Sequence, residues 1–359
     1  MTETALQRFG WNERLAAAFE AQTVPGRVPG RVVLEHTHIY RVVTDEGEVL
    51  ARVSGRLRHR ATTRPDFPAV GDWVVAEPVP GSDARIHSVL PRFSRFSRRA
   101  AGDVTAEQVI AANIDTVFLV GGLDGDFNPR RIERYLVVAW ESGATPVVVL
   151  NKADLVDDPE RHVAEVREVA PGVDVHAVSV RVAGSLAVLR PYLGFGRTAA
   201  LLGSSGVGKS SIVNRLVGFD LLRTQDVRVT DSRGRHTSTA RQMVLLDEGG
   251  VLIDTPGMRE LQLWDSGDAL GDAFADIEAL AQDCRFRDCR HTREPGCAVR
   301  SAVGSGALPP ARLESFQKLA GEREHQSRQL DARTILEDKR RAKVMGKALQ
   351  KHLKDKGAV

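Results

Sequence analysis

The sequence predicts a chain of several domains: a small β-barrel, an α/β domain on a mostly parallel sheet, and an α-helical unit that binds metal. Three observations carry this. Between Arg31 and Pro91 short alternating segments are separated by turn residues; from 109 onward apolar runs alternate with helical stretches around a glycine-rich turn; and all three cysteines lie between positions 284 and 297. A length of 359 residues gives room for two or three domains, and 42% hydrophobic with 27% charged residues is ordinary for a globular chain. No apolar run approaches a membrane span, and Met1 to Gly10 lacks the layout of an export signal. A cytoplasmic monomer with no membrane association is therefore expected.

Residues 1–30 form an N-terminal arm, with an amphipathic helix expected from Asn12 to Ala21 and breaks at Pro25-Gly26 and Pro29-Gly30. Residues 31–103 follow as an OB-like barrel. Its strands are expected at Arg31–Leu34, Ile39–Val43, Val49–Val53, Trp73–Glu77 and Ala84–Val89, a count that suits a small oligonucleotide-binding barrel. The basic stretch Arg56, Arg58, His59, Arg60 and Arg64 is expected as a loop on the binding face. A barrel used only for protein contacts fits the composition equally well.

Residues 104–265 are expected as the α/β domain. Strands at Thr116–Val120, Pro146–Leu150 and Val173–Val178 alternate with helices at Arg130–Glu141, Pro159–Val169 and Gly184–Tyr192. Ligands bind such sheets at the carboxyl ends of the strands. After the apolar strand Thr198–Leu202 comes Gly203-Ser204-Ser205-Gly206-Val207-Gly208-Lys209-Ser210-Ser211, then a helix from Ser210 to Val217. The glycines let backbone N–H groups face phosphate oxygens at a helix N-terminus. Lys209 would reach the β- and γ-phosphates, and Ser210 would offer its hydroxyl to Mg²⁺. The plainer alternative is a glycine turn with Ser210 capping the helix.

Asn151-Lys152-Ala153-Asp154 follows the strand that ends at Leu150. A carboxylate there accepts from both N1–H and the exocyclic amine of guanine, donors that adenine does not present in that geometry. Asp154 would set the base choice, Asn151 would tie this loop to the phosphate turn, and the Lys152 stem would cover the base. At Ser179-Val180 a backbone N–H would meet guanine O6.

Arg233 to Thr239 and Asp254-Thr255-Pro256-Gly257 complete a guanine-nucleotide set. Asp254 would hold Mg²⁺ through water, the Gly257 N–H would sense the γ-phosphate, and Thr237 would give Mg²⁺ its second hydroxyl, with Thr239 the alternative. The order is reversed, because the base reader precedes the phosphate loop. Circular permutation explains it, and the segment after Gly257 then leads directly into the C-terminal unit.

With the N-terminal barrel and the C-terminal Cys/His set described next, these motifs make the chain, over roughly residues 30 to 325, resemble the circularly permuted GTPases of ribosome assembly. The resemblance implies a factor that binds the small (30S) ribosomal subunit and its rRNA, hydrolyses GTP when stimulated by it, and then leaves. Met258 stands where many GTPases carry a water-orienting glutamine, which implies slow intrinsic turnover. His236 is the candidate for positioning water, the alternative being an RNA or phosphate contact. Gly206 stands where some related GTPases place a potassium-recruiting asparagine, which argues against that device here.

Residues 266–327 are expected as the helical metal unit. A helix from Ala269 to Gln282 leads into Cys284, Cys289, His291 and Cys297, a closed set for one structural Zn²⁺. Helices at Pro310–Gln329 and Ala332–Asp355 are expected after it. The tail 328–359 carries ten Lys or Arg against four acids, a pattern that suits folding on RNA, or a solvated helix with no partner. The function read from the sequence is a Mg²⁺-dependent GTPase on the small subunit, taking GTP to GDP. Its rivals are a GTP-gated RNA-binding scaffold in which hydrolysis is incidental and a zinc-dependent hydrolase, which would need an open metal site.

Overall fold

Five strands close into the N-terminal barrel: β1 (Val28–His36), β2 (Ile39–Thr44), β3 (Gly47–Val53), β4 (Trp73–Glu77) and β5 (Ala84–Val89). In this computed structural model, which describes residues 3–36, 39–99, 107–125, 127–218, 241–254, 269–324 and 327–328, they pair in the order β1-β2-β3-β5-β4. A ladder from β4 back to β1 closes the ring. Strand alternation sends Val32, Tyr40, Val42, Ala51, Val74 and Ile86 into the interior. Val33, Val43, Trp73 and Val75 point the other way, where the N-terminal arm covers them with Leu6, Leu15 and Trp11. The rings of Trp11 and Trp73 are 5.0 Å apart. The arm is therefore part of the barrel's packing, with helices α1 (Ala5–Arg8) and α2 (Glu13–Glu20) capped by Thr4 and Asn12.

The basic stretch expected as a loop is largely helical. Ser54 accepts from the Leu57 N–H at 3.2 Å and starts α3 (Gly55–Arg60), whose Leu57 plugs the barrel core. A hairpin of β6 (Arg95–Arg99) and β7 (Glu107–Ala112) then bridges position 103, and Phe96, Ile110 and Ala111 lie in the core of the α/β unit.

The central sheet contains β8 (Thr116–Gly122), β9 (Thr145–Asn151), β10 (Asp174–Ala177), β11 (Thr198–Leu202), β12 (Arg241–Leu245) and β13 (Val251–Asp254). Their order is β10-β9-β8-β11-β13-β12, parallel except for β12. Leu119, Val148 and Leu150 face one apolar layer, while Phe118, Val120, Val147 and Val149 face the other. Such strands read as continuous apolar runs because both faces are covered. The covering helices are α4 (Pro129–Ser142), α5 (Pro159–Val169) and α6 (Lys209–Val217). The helical stretch expected at Gly184–Tyr192 is a 3₁₀ helix, Ser185–Leu193, with Pro191 inside it; proline lacks the N–H that an α-helical bond needs. At the far edge β12 pairs with β1 (Leu34 with Gln242, Glu35 with Arg241), joining sheet and barrel.

The C-terminal unit holds α7 (Ala269–Ala273), α8 (Ala275–Ala281), α9 (Ala298–Gly304) and α10 (residues 310–324). The single helix expected from Ala269 to Gln282 is broken at Phe274, whose buried ring packs 5.4 Å from Phe316 and 4.4 Å from the Arg312 guanidinium. Among the described residues no helix is long and apolar enough to cross a membrane. The expected helix Ala332–Asp355, His236, Thr237, Thr239, Gly257 and Met258 lie outside the described residues, as does the Asp254 side chain.

Candidate functional site

The turns that close β9, β10 and β11 meet at the carboxyl edge of the parallel sheet. Asn151, 1% exposed, donates through Nδ2 to the Val207 carbonyl at 2.8 Å, which ties the base-reading loop to the phosphate loop. Its Oδ1 accepts from the Val180 N–H at 3.4 Å, so one amide side chain gathers three turns. This closeness needs a glycine. A Cβ on Gly208 would lie 2.2 Å from Asn151 Nδ2, and Gly208 has a φ of +97°.

Lys152 leaves β9 with a φ of 65°, while the Ala153 N–H bonds to the Val178 carbonyl at 3.0 Å. The reader loop is thus fastened to the β10 turn at its backbone. Asp154 Oδ1 accepts from the Ser179 hydroxyl at 2.5 Å, and Arg181 stands 3.5 Å from Oδ2. The Ser179 hydroxyl above all, with help from Arg181, holds the Asp154 carboxyl below the usual carboxylate range. The Ser179 N–H is taken by Ser185 Oγ at 2.8 Å.

In the phosphate loop a Cβ on Gly203 would meet the Val120 carbonyl oxygen at 2.3 Å, so the loop starts flush against β8. Gly206 has a φ of +81° with open space around it. Gly208 caps α6, whose first residues are Lys209, Ser210 and Ser211. The Lys209 ammonium donates to the carbonyls of Gly203 and Ser204 at 2.7 and 2.6 Å, lying across the loop. Ser205 is exposed beside it, and Val207 is buried under the loop.

The metal-ligand set also converges. Nδ1 of His291 lies 3.6 Å from Cys284 Sγ and 3.4 Å from Cys297 Sγ, the two sulfurs are 3.9 Å apart, and with Cys289 all four ligand atoms fall within 4.8 Å of one another. A tetrahedral zinc with Zn–S near 2.3 Å implies sulfurs about 3.8 Å apart, so the set fits that ion. Burial lowers the His291 pKa and favours the neutral, ligating imidazole. Gln317 of α10 donates to the His291 carbonyl at 2.7 Å and pins the knuckle to the helices.

With this geometry in place, residues 89–264 match the family model described as RsgA GTPase. The small ribosomal subunit biogenesis GTPase RsgA of Opitutus terrae is 47% identical over 336 residues, covering 91% of this chain and 92% of that one. Its namesake in Methanosarcina acetivorans is 44% identical over 349 residues, covering 97% and 93%. The chain belongs to the RsgA GTPase family.

Among solved structures, YjeQ from Thermotoga maritima superposes with a TM-score of 0.61 at 28% identity, covering 82% of this chain and 99% of that one. YloQ, described as a circularly permuted GTPase, superposes at 0.60 with 24% identity, covering 87% and 98%, and shares the fold. RsgA membership makes this chain a GTPase, and the order of its motifs along the chain, Asn151–Asp154 before Gly203–Ser211, is the permuted one.

Four residues that the sequence does not single out lie at this candidate site. Asp124, at the end of β8, pairs with Lys152 Nζ. Arg131 of α4 donates to Ser204 Oγ at 2.7 Å, and Tyr135 Oη lies 3.3 Å from the same oxygen. Arg181 beside Asp154 is the fourth. Spacing could not reveal them, since each reaches its partner across the sheet or between turns.

Proposed function

We propose that this chain binds GTP along the edge formed by the β9, β10 and β11 turns, hydrolyses it to GDP and phosphate, and does so on the small ribosomal subunit during its maturation. The observation that carries the reading is the Asn151–Val207 hydrogen bond, which sets base reader and phosphate loop side by side. Asp154 accepts from guanine N1–H and the exocyclic amine. Of the two amides at the β10 turn, that of Val180 is the one for O6, because its hold on Asn151 is long at 3.4 Å while the Ser179 amide is engaged. The N–H groups from Ser204 to Ser211 cradle the phosphates, and Lys209 exchanges its bonds to Gly203 and Ser204 for phosphate oxygens.

Ser210, Thr237 and, through water, Asp254 are the residues to hold Mg²⁺, which when bound neutralises charge on the phosphates. Gly257 is the amide that senses the γ-phosphate and His236 the group that positions water. Cys284, Cys289, His291 and Cys297 hold one structural zinc, since four protein ligands leave no open position. The partner comes from the names of the relatives, each a small ribosomal subunit biogenesis GTPase. The site of action is accordingly the cytoplasm, and one chain per subunit suffices.

Multiple-turnover GTP hydrolysis with and without purified small subunits tests the reading. Stimulation by the subunit is expected; an unchanged rate would favour a GTP-gated scaffold.

A further inference from the structure

The arginines of the barrel differ in what they face: Arg31 is buried on the Gly71 and Asn113 carbonyls, and Arg85 of β5 is exposed with no carboxylate partner among the described residues. On the strands, Arg41 pairs with Glu48 at 3.6 Å and Arg52 with Asp83 at 2.6 Å. On and just after α3, the exposed Arg56, Arg58, Arg60 and Arg64 have no carboxylate partner among the described residues. Only Leu57 of this helix is needed for the barrel core. Like charges crowded onto a six-residue helix repel one another, so packing gives no reason for them, and an anionic partner does.

The surroundings narrow the partner. Between α3 and the C-terminal end of α4 lies a cleft of about 730 Å³, with Leu57, Arg60 and Arg95 on one wall and Trp140 on the other. Trp140 and the neighbouring Phe93 are half-buried, so each offers part of its ring to the cleft. Two acids also line the cleft: Asp66, which accepts from Thr62 and Thr63 and stays anionic, and Glu141, which has a partner; Arg95 is 3.7 Å from Glu107, so Arg60 is the rim cation with no carboxylate partner among the described residues. Arg92, deeper in, is held by both oxygens of Asp72 at 2.7 and 2.6 Å. A guanidinium rim leading to an aromatic wall is the combination that single-stranded nucleic acid uses, with phosphates on the cations and a base on the ring.

We infer that a single-stranded RNA segment passes over α3 into this cleft, its phosphates on Arg56, Arg58, Arg60 and Arg64 and a base against Trp140. The β2–β3 face, which barrels of this kind commonly use, is then not the main RNA path. This deepens the RNA-partner reading above by giving it an address between barrel and GTPase domain.

The test measures binding of a fluorescein-labelled 12-nucleotide oligo(U) to the full-length protein across a salt series. Arg58→Ala/Arg60→Ala removes two exposed side chains with no carboxylate partner, so thermal unfolding and basal GTP hydrolysis should stay unchanged. Affinity should fall about tenfold, and the slope of log K against log salt should shrink by roughly 1.4, at about 0.7 per lost single-strand phosphate contact. Trp140→Ala should weaken binding without altering the slope. Two results would overturn the inference: parent-like binding by the α3 variant, or the loss appearing instead in Arg41→Ala/Arg52→Ala. Binding of a poly-glutamate peptide in place of the oligonucleotide, sensitive to the same α3 variant, would assign the face to an acidic protein and also overturn it. Co-sedimentation of the unmodified protein with small subunits is scored separately, so failure of the subunit reading is distinguishable from failure of this site.

Discussion

Arg312 of α10 and Glu133 of α4 form an ion pair buried between the C-terminal helices and the GTPase sheet, the guanidinium 2.7 Å from Oε1 with side-chain exposures of 3% and 1%. The same guanidinium reaches Asp276 Oδ1 at 2.8 Å, and Ser315 donates to the other Glu133 oxygen at 2.6 Å. A charge so placed is tolerable only while its partners remain, because desolvation is costly.

Glu133→Gln should therefore lower unfolding stability by about 3 kcal/mol, near the bottom of the range for broken buried pairs because Asp276 still faces Arg312. Urea unfolding measures it. Glu133→Leu/Arg312→Met should recover much of the loss, whereas a single-variant effect below about 1 kcal/mol would mean that the pair contributes little.

Asn151→Ala removes the bonds to the Val207 carbonyl and the Val180 amide. The Val207 bond, the one that remains when the Val180 amide turns to guanine O6, corresponds at about 1 kcal/mol to roughly fivefold weaker GTP binding. Equilibrium titration with a fluorescent GTP analogue checks this; parent-like affinity would mean that the two loops hold their places without the amide.

Asp154→Asn should shift preference from guanine towards xanthine nucleotides, since the amide donates where the carboxylate accepts. Because the Ser179 hydroxyl keeps this carboxyl below its usual range, it stays ionised as pH falls towards 5. The GTP-over-ITP preference of the parent should accordingly be flat from pH 8 to pH 5. A preference that collapses near pH 5 would contradict that environment.

Lys209→Ala should abolish detectable nucleotide binding, as it deletes the ammonium at the mouth of the phosphate loop. Isothermal titration gives the answer, and normal GTP affinity would move the phosphate site elsewhere.

Metal analysis of the purified chain should find one zinc. Cys297→Ser should lose it, although the serine oxygen can still accept from the Arg300 amide that Cys297 Sγ caps at 3.4 Å. Loss of structure should be local to α8–α10, read as faster amide exchange there with the barrel unchanged. Full zinc content in Cys297→Ser would remove that sulfur from the set.

The sequence by itself determined the fold class and the GTPase family, because both are written in short local patterns. Buried parallel strands read as apolar runs, the phosphate loop needs its glycines at fixed spacing, and the base reader sits at the end of β9. The same locality made permutation visible, since reversing the order of two motifs damages neither. It misled at the basic stretch 56–64, which looks like a loop until Leu57 docks in the barrel and Ser54 caps a helix, and at Phe274, where a buried ring interrupts a helix that periodicity would continue.

Only the tertiary structure decided what lies beside each motif. The hold of Asn151 on Val207, the reach of Arg131 and Tyr135 to Ser204, the burial of Glu133 against Arg312, and the cleft between α3 and α4 join residues far apart in the chain. Such contacts depend on where rigid strands and helices bring side chains once the sheet and barrel have closed, and no local period records that.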